Sequence, residues 1–265
     1  MSNYKESTEQ SKMFWEELAD NWDEKMGESD NRFHKEIIRP ATLKLLEPKS
    51  GDFILDVACG NGNFSRFMAG QGAKVVAFDY SEKMIEHAKK HCKDYLSIVD
   101  FKVADATKYD ELMVLKTNKP FGKAVSNMAV MDIADVQPLF KAVYNLLAPN
   151  GIFVFSGVHP CFQTPNMRKI VETNDYTGDC SVRMGIQTYE YIKPCMHQVS
   201  ALANNNKQVL HFHRPLSIIL NMCFEVGFVI DGMEEPVFER AENATGFDWY
   251  EIPPSIIIRL RKCAK

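Results

Sequence analysis

The chain has 265 residues, 45% hydrophobic and 25% charged, which suffices for a sizeable core and excludes collagen-like, coiled-coil and wholly disordered proteins. Its formal charge is −4, from 31 basic and 35 acidic residues, so it lacks the basic excess of most nucleic-acid-binding proteins and no nucleic-acid partner is expected. No stretch approaches the roughly 18 consecutive apolar residues of a membrane-spanning helix, and no signal peptide is recognisable, so no membrane insertion is expected.

Seven cysteines are present, an odd number, and no two have the spacing of a zinc knuckle. We therefore expect reduced thiols in a cytoplasmic protein, because disulfides are rare in that compartment. No metal site is expected, since no cluster of His, Asp and Glu has convincing ligand spacing.

Apolar residues recur at helical spacing over the first 45 residues, which predicts a helical N-terminal segment. Beyond it, short apolar runs typical of buried strands alternate with amphipathic stretches typical of helices. The predicted strands are 53–57, 74–78, 98–103, 123–126 and 152–156, and the predicted helices are 63–70, 81–90 and 136–147. Such alternation predicts an α/β fold with a doubly wound, mostly parallel sheet, because parallel strands require crossover connections.

After Gly157 this alternation stops, and residues 158–214 are predicted to form an insertion over the carboxyl edge of the sheet. Two arms of an antiparallel hairpin are expected in it, at 187–194 and 207–214. A helix at 215–225 and two strands at 228–233 and 255–260 then complete a seven-stranded sheet with an antiparallel edge. One domain is expected, which divides into an N-terminal helical cap (1–48), a ligand-binding core (49–157), the insertion (158–214) and the C-terminal completion of the sheet (215–265).

Polar residues follow four of the predicted strands, namely Asp56, Asp79, Asp105 and Asn127. Ligands of doubly wound sheets bind outside the carboxyl ends of the strands, near the point where the strand order reverses. The fold and these side chains therefore indicate the same place for a binding site.

The turn after the first strand contains Gly60 and Gly62, and the second strand ends at Asp79. A glycine-rich turn allows close backbone approach to a ligand, and an acidic strand end can bind a ribose diol, in NAD and in S-adenosylmethionine (SAM) alike. A dinucleotide site prefers a third glycine where this chain has Ser65, and the Asp56 carboxylate would repel a pyrophosphate. That carboxylate suits the cationic amino group of a methionine moiety, so SAM is favoured and an NAD-linked oxidoreductase is the alternative.

These residues resemble the first motif of the class I SAM-dependent methyltransferases, acidic-x-Gly-x-Gly-x-Gly. The motif maps onto Asp56, Ala58, Gly60 and Gly62, with alanine in place of the first glycine. The resemblance covers residues 50–160 and implies a class I fold, transfer of a methyl group from SAM, and S-adenosylhomocysteine as the second product.

The resemblance also implies roles for the residues that follow. Asp79 would hold the ribose hydroxyls, Tyr80 and Met84 would line the adenosine, and Asp105 and Ala106 would read the adenine edge.

Two further residues bear on this implied donor site. Asn127 would contact the methionine end. For Trp22, plain core packing is expected, and closure of the site by an N-terminal helix that folds over it, as in many relatives, is the alternative.

The acceptor is less well defined by the sequence. The segment Asn127-Met-Ala-Val130 lacks the Asn/Asp-Pro-Pro-aromatic motif of amino methylators, and Pro194-Cys195 lies too far along the chain for a cytosine-C5 nucleophile. Asp132 and Asp135 are expected to form a turn and a helix cap. A small acceptor is therefore expected, and the alternatives are a methyltransferase acting on tRNA or protein and a non-catalytic SAM-binding module.

Two histidines of the insertion are candidates for the acceptor side. His159 directly follows the fifth strand and His213 ends the predicted hairpin, so either could orient the acceptor or act as a base. A histidine bonded to backbone at a strand end is the competing interpretation for each.

Overall fold

The computed structural model describes residues 4–28, 30–174, 181–202, 207–240 and 248–263. Its strands are β1 Phe53–Val57, β2 Lys74–Asp79, β3 Val99–Val103, β4 Phe121–Ser126, β5 Leu147–Val158, β6 Arg168–Asn174, β7 Ser181–Gln187, β8 Cys195–Ser200, β9 Gln208–His213, β10 Phe228–Glu234 and β11 Ser255–Lys262. Its α-helices are α1 Tyr4–Met26, α2 Arg39–Leu46, α3 Asn63–Gly70, α4 Glu82–His91, α5 Tyr109–Met113, α6 Gln137–Leu146 and α7 Leu216–Val226. A π-helical turn, His34–Ile38, precedes α2.

Seven strands form one sheet in the order β10-β11-β5-β4-β1-β2-β3. Strands β1 to β5 run parallel, and β11 is antiparallel to both β5 and β10. The predicted doubly wound, mostly parallel seven-stranded sheet is confirmed. Its strand order reverses between β1 and β4, where a ligand crevice is expected.

Both faces of the sheet are covered, which is why its strands read as continuous apolar runs. On one face α6 packs through Leu139, Phe140 and Val143, and on the other α3 and α4 pack through Met68 and Ile85. These side chains are almost fully buried, and each contributes roughly 1.5–3 kcal/mol of hydrophobic stabilisation. The resulting core holds the strand ends rigidly.

The boundary between α6 and β5 differs from the prediction of a helix to residue 147 and a strand from 152. Leu147 already has an extended backbone and pairs with Phe121 of β4, so β5 begins there. The Pro-Asn-Gly sequence that follows is accommodated by a register shift rather than by a break, with Asn150 at a φ of 61°.

The hairpin of the insertion pairs differently from the prediction. Strand β9 pairs with β8, not with 187–194, which belong to a loop apart from Gln187 at the end of β7. Pro194 has no N–H to donate, and Glu190 has a positive φ of 52°, so this segment is unsuited to a ladder. A second hairpin, β6–β7, was not predicted, and residues 175–180 between its strands, including Cys180, lie outside the described part.

Gly62 is fixed by helix packing. Its φ is 77°, and a Cβ there would lie 2.8 Å from the Cβ of Ala88 on α4. By contrast, a Cβ on Gly60, with a φ of 54°, would meet nothing within 4 Å. Gly62 therefore allows α4 to approach the glycine turn, whereas Gly60 faces open space.

We expect Gly62→Ala to lower the free energy of unfolding by about 2–4 kcal/mol, from a left-handed alanine and a clash with Ala88. Gly60→Ala, which lacks the clash, is expected to cost about 1–2 kcal/mol. Urea denaturation measures both. If the clash is the cause, Ala88→Gly recovers part of the loss in the Gly62→Ala background, and equal losses for the two glycine variants would contradict this account.

Candidate functional site

A cavity of about 140 Å³ lies at the reversal point of the sheet. Its floor comes from the carboxyl ends of β1 to β4, and its roof from α1 and the segment leading into α2. Among the residues predicted for the donor, those that line it are Trp22, Asp56, Ala58, Gly60, Asp79, Tyr80, Met84, Asp105, Ala106 and Asn127. Gly62 does not line it, because it packs against α4 instead. We call this space the donor cavity.

Two buried carboxyl groups dominate the floor. Asp79 accepts hydrogen bonds from the Gly60 amide at Oδ2 and from the Ser81 amide at Oδ1, both at 3.0 Å. Asp56 accepts one from the Ser65 hydroxyl at 2.5 Å. Burial raises the pKa of Asp79 to about 6 and that of Asp56 to about 7.

Non-glycine residues with left-handed backbones lie on either side of this floor. Ala58 has a φ of 51° and Met128 a φ of 52°, and both line the donor cavity. Ala58 stands where the family motif has its first glycine. Its left-handed backbone, which glycine would adopt without strain, costs roughly 1–2 kcal/mol for alanine.

Asp105 and Asn127 are held by local hydrogen bonds. Asp105 Oδ1 accepts from both the amide and the hydroxyl of Thr107, at 2.9 and 2.8 Å. Asn127 Oδ1 accepts from Thr42 at 2.8 Å and from Ser156 at 3.3 Å, so its amide nitrogen keeps its N–H donors.

Helix α1 is fastened over the donor cavity by polar contacts on two sides. Near its start, the Ser11 hydroxyl donates to the Asp132 carbonyl at 3.1 Å and contacts the Tyr80 hydroxyl at 3.1 Å. Near its end, Asp23 lies 3.1 Å from His87 Nδ1 and 2.7 Å from His91 Nε2, both on α4. These contacts hold α1 over the donor cavity, where Trp22 lines the cavity and also packs in an apolar cluster with Leu18.

A second and larger cavity, of about 560 Å³, adjoins the first. All three tryptophans of the chain, Trp15, Trp22 and Trp249, line it. Its other walls come from the segment leading into α2, from the loop after β4, from the insertion and from Pro254, and none of the described residues lining it is Lys or Arg. We call it the tryptophan cavity.

Asp132 lines both cavities and is not a simple turn residue. Its side chain is nine-tenths buried, and Oδ1 lies 3.2 Å from His211 Nε2 of β9. Burial raises the pKa of Asp132 well above its ordinary value and lowers the pKa of His211 to about 4. Asp135 does cap α6, because its Oδ1 accepts from the Gln137 amide at 3.1 Å.

The two predicted acceptor-side histidines lie outside both cavities. His159 accepts from the Cys161 amide at Nδ1 and lies 2.7 Å from Glu235 through Nε2, which joins the end of β5 to the segment after β10. His213 Nε2 donates to the Tyr191 carbonyl at 2.7 Å. Both make the structural bonds of the competing interpretation, and the acceptor-side role finds no support in this geometry.

Arg214 has a structural role that the sequence did not predict. Its guanidinium donates to the carbonyls of Val130, Ile133 and Ala134, at 2.7–3.3 Å, and to that of Phe212 at 3.2 Å. It therefore fixes the loop that carries Asp132 to the end of β9. The only sequence signal was a polar residue next to a strand end and a proline.

Two further features concern the described residues as a whole. No helix among them is long and apolar enough to cross a membrane. No group of three or more His, Cys, Asp or Glu side chains in this part of the chain could hold a metal ion.

Comparison with known proteins agrees with the geometry. A family model described as a methyltransferase domain matches residues 48–213, which is more than half of the chain. The chain belongs to this methyltransferase-domain family. The predicted SAM-dependent methyltransferase of class I fold is confirmed.

Individual relatives share varying parts of the chain. A crystal structure of an S-adenosylmethionine-dependent methyltransferase from Mesorhizobium loti is 29% identical, with a TM-score of 0.66, over 84% of this chain and 96% of that one. An uncharacterized protein from Haemophilus influenzae is 27% identical over 238 residues, 86% of this chain and 88% of that protein. A ubiquinone biosynthesis O-methyltransferase from Pelagibacter ubique is 36% identical over 99 residues, 37% of this chain and 39% of that enzyme. The match thus spans well under half of that last methyltransferase.

The buried carboxyl groups predict how donor binding by this methyltransferase depends on pH. Asp56 and Asp79, with pKa values raised to about 7 and 6, carry full charge only above those values. We therefore expect the dissociation constant for SAM to rise as the pH falls from about 8 to about 5.5, by up to tenfold per pH unit for each carboxyl that must lose its proton. Titration of the ligand opposes this trend, since its amino group gains charge as the pH falls.

Isothermal titration calorimetry across that range measures the effect. The variant Asp79→Asn is the control, because it should lose the part of the pH dependence centred near 6 and keep the part from Asp56, moved below 7 since the Asp79 charge helps to raise the pKa of Asp56. An affinity for SAM that is constant from pH 8 to 5.5 would show that neither carboxyl group titrates as the structure indicates.

Proposed function

We propose that the protein transfers a methyl group from SAM to a small, uncharged aromatic acceptor that binds in the tryptophan cavity. One observation carries the proposal: an acidic donor cavity and an aromatic cavity whose described lining includes no Lys or Arg meet at shared residues. The residues lining both are Trp15, Trp22, His34, Met128 and Asp132. Methyl transfer requires the donor carbon and the acceptor atom to be held close and in line, which adjoining cavities achieve.

The donor cavity suits SAM by its charge and by the open space beside Gly60. SAM supplies an electrophilic methyl group on a positively charged sulfur. Asp79 would accept a hydrogen bond from the ribose hydroxyls, since its carboxylate has about four acceptor sites and the backbone amides of Gly60, Tyr80 and Ser81 take three of them. The open space beside Gly60 lets the ligand approach the backbone.

The remaining donor contacts follow the strand ends. Tyr80 and Met84 would pack on the adenosine, Asp105 and Ala106 would lie at the adenine edge, and Asn127 would face the methionine end.

At the methionine end, Asp56 would attract the amino group. Trp22 would close the site from α1, which excludes water and fixes the reacting groups.

The lining of the tryptophan cavity suits an uncharged aromatic ligand. Three tryptophans provide flat apolar surfaces that stack on aromatic rings. An anionic acceptor would find no Lys or Arg among the described lining residues to balance its charge, and desolvating an unpaired carboxylate is costly. We place the reaction in the cytoplasm, where thiols stay reduced, and the six cysteines of the described part are free.

The donor half of the proposal predicts that Asp79→Asn weakens SAM binding by about 100-fold, the loss of roughly 1.5–3 kcal/mol per charge-assisted hydrogen bond. Calorimetry with SAM, S-adenosylhomocysteine and NAD measures it. Asp100→Asn, an exposed carboxylate on β3, is the matched control and should bind both adenosyl ligands like the unaltered protein. Binding of NAD, or equal binding of SAM by both variants, would overturn the donor assignment.

The acceptor half predicts a preference set by charge. We expect 2-naphthol to be methylated with a kcat/KM at least about tenfold above that of 6-hydroxy-2-naphthoate, which adds only a carboxylate. Chromatography of S-adenosylhomocysteine measures both rates. A reversed preference would exclude an uncharged acceptor, and SAM binding without product from any acceptor would favour a non-catalytic module.

A further inference from the structure

His34 occupies the junction of the two cavities. It is the first residue of the π-helical turn His34–Ile38 and lines both the donor cavity and the tryptophan cavity. Among the described residues that line both, only His34 and Asp132 have ionisable side chains. Single π-helical turns occur often at functional sites, because they displace a side chain that a regular helix would direct elsewhere.

The hydrogen bonds of Asn31 determine which ring nitrogen of His34 carries the proton. The backbone amide of His34, which can only donate, lies 2.9 Å from Asn31 Oδ1, so this atom is an oxygen and not the amide nitrogen. The same oxygen lies 3.0 Å from His34 Nδ1, and an oxygen of this kind can only accept. Nδ1 is therefore protonated, and the lone pair of the ring is on Nε2.

Nε2 is available to a ligand. Among the described residues none donates a hydrogen bond to it, and the ring is held in place by edge contacts with Trp22 and Phe33, with centroids 6.1 and 5.7 Å away. Burial lowers the pKa of His34 to about 4, and the nearest charges, Asp30 and Arg39, pair with each other and act in opposite directions. The ring is therefore neutral at neutral pH, with a lone pair at the junction.

The other titratable group at the junction, Asp132, lies beside a second histidine. Asp132 Oδ1 lies 3.2 Å from His211 Nε2, and its raised pKa favours the protonated acid. The protonated acid can donate a hydrogen bond but is a poor base. At the junction, His34 can therefore accept a hydrogen bond and Asp132 can donate one.

We propose that His34 Nε2 is the catalytic base that removes the proton from a hydroxyl group of the acceptor, which makes the enzyme an O-methyltransferase. This inference rests on the proposed function. The acceptor oxygen forms a bond to the methyl carbon as the carbon–sulfur bond breaks, and the bonding pair stays on sulfur to give S-adenosylhomocysteine. The hydroxyl proton moves to Nε2 and then to solvent, so that charge and atoms balance.

The test compares a hydroxyl acceptor with an amine of the same shape. 2-Naphthol must lose its proton as it attacks, whereas 2-naphthylamine attacks through a free lone pair and releases its proton afterwards. We expect His34→Gln to lower kcat for 2-naphthol by about 100-fold or more, and kcat for 2-naphthylamine far less. Added imidazole should restore part of the naphthol rate in His34→Ala.

Calorimetry with SAM separates this inference from the proposed function. Retained SAM binding with an undiminished naphthol rate in His34→Gln would overturn the role of His34 alone. Methylation by the unaltered enzyme of the amine only, or of neither probe despite SAM binding, would overturn the hydroxyl acceptor. Loss of SAM binding in the unaltered protein would overturn the proposed function itself. If His211→Gln lost the naphthol rate and His34→Gln did not, the base would be His211.

Asn31 provides a second, independent test as a positioning residue. Asn31→Leu removes the acceptor for Nδ1–H and should lower the naphthol rate about tenfold, whereas Asn31→Asp keeps an acceptor oxygen and should largely retain it. Nitrogen-15 NMR of the histidine rings reports the tautomer directly. An Nε2-protonated His34 in the unaltered protein would overturn the proposal, whatever the rates of the variants.

Discussion

The donor cavity depends on the hydrogen bond from the Gly60 amide to the Asp79 carboxylate. This bond joins the turn after β1 to the end of β2, and its 3.0 Å length fixes the glycine turn in one conformation. The conformation of this glycine turn determines where α3 begins and how closely α4 can approach the turn at Gly62. The Asp79 carboxylate at the end of β2 thus has two effects. It fixes the backbone of the glycine turn, which is distant in sequence, and it offers its oxygens to a ligand.

Burying carboxyl groups together is costly, and the fold offsets only part of that cost. Asp56 and Asp79 are 2% and 6% exposed, and no Lys, Arg or His among the described residues forms an ion pair with either. Their ionised forms receive hydrogen bonds from one hydroxyl and from backbone amides, which stabilise charge less than an ion pair does. A cationic ligand completes the charge balance, so the site is poised for a positively charged donor and against an anionic one.

The sequence predicted most of the fold and the floor of the donor cavity, because local patterns encode both. Parallel strands buried on two faces give unmistakable apolar runs, and polar residues at their ends must lie on one edge. The predicted strand boundaries were wrong where pairing with a distant strand determines the backbone conformation. Leu147, for example, is extended because it pairs with Phe121 of β4. The predicted hairpin of the insertion was wrong for the same reason, since β8 can be recognised as a strand only through its pairing with β9.

The acceptor side was not predictable from one sequence. His159 and His213 stood out by their positions next to strand ends, which is also where structural histidines bond to neighbouring backbone. His34 gave no signal, because a histidine in an amphipathic N-terminal segment reads as a surface residue. Its importance comes from the π-helical turn and from the placement of α1 and α2 over the sheet, which are tertiary features.

The anchoring of the insertion has a consequence for how this enzyme can diversify. Arg214 and the hydrogen bond from the Phe212 amide to the Met131 carbonyl, at 2.7 Å, bind β9 to the loop after β4. The described residues of the β6–β7 hairpin form a separate two-stranded sheet, and no backbone hydrogen bond from them to the loop after β4 is seen. Lys169 of that hairpin lies 5.1 Å over the ring of Trp249, a lining residue of the tryptophan cavity, so changes in the hairpin can alter the wall at Trp249 while β9 keeps Asp132 in place. Acceptor range can therefore evolve separately from donor binding, on a framework that stays rigid where the two ligands meet.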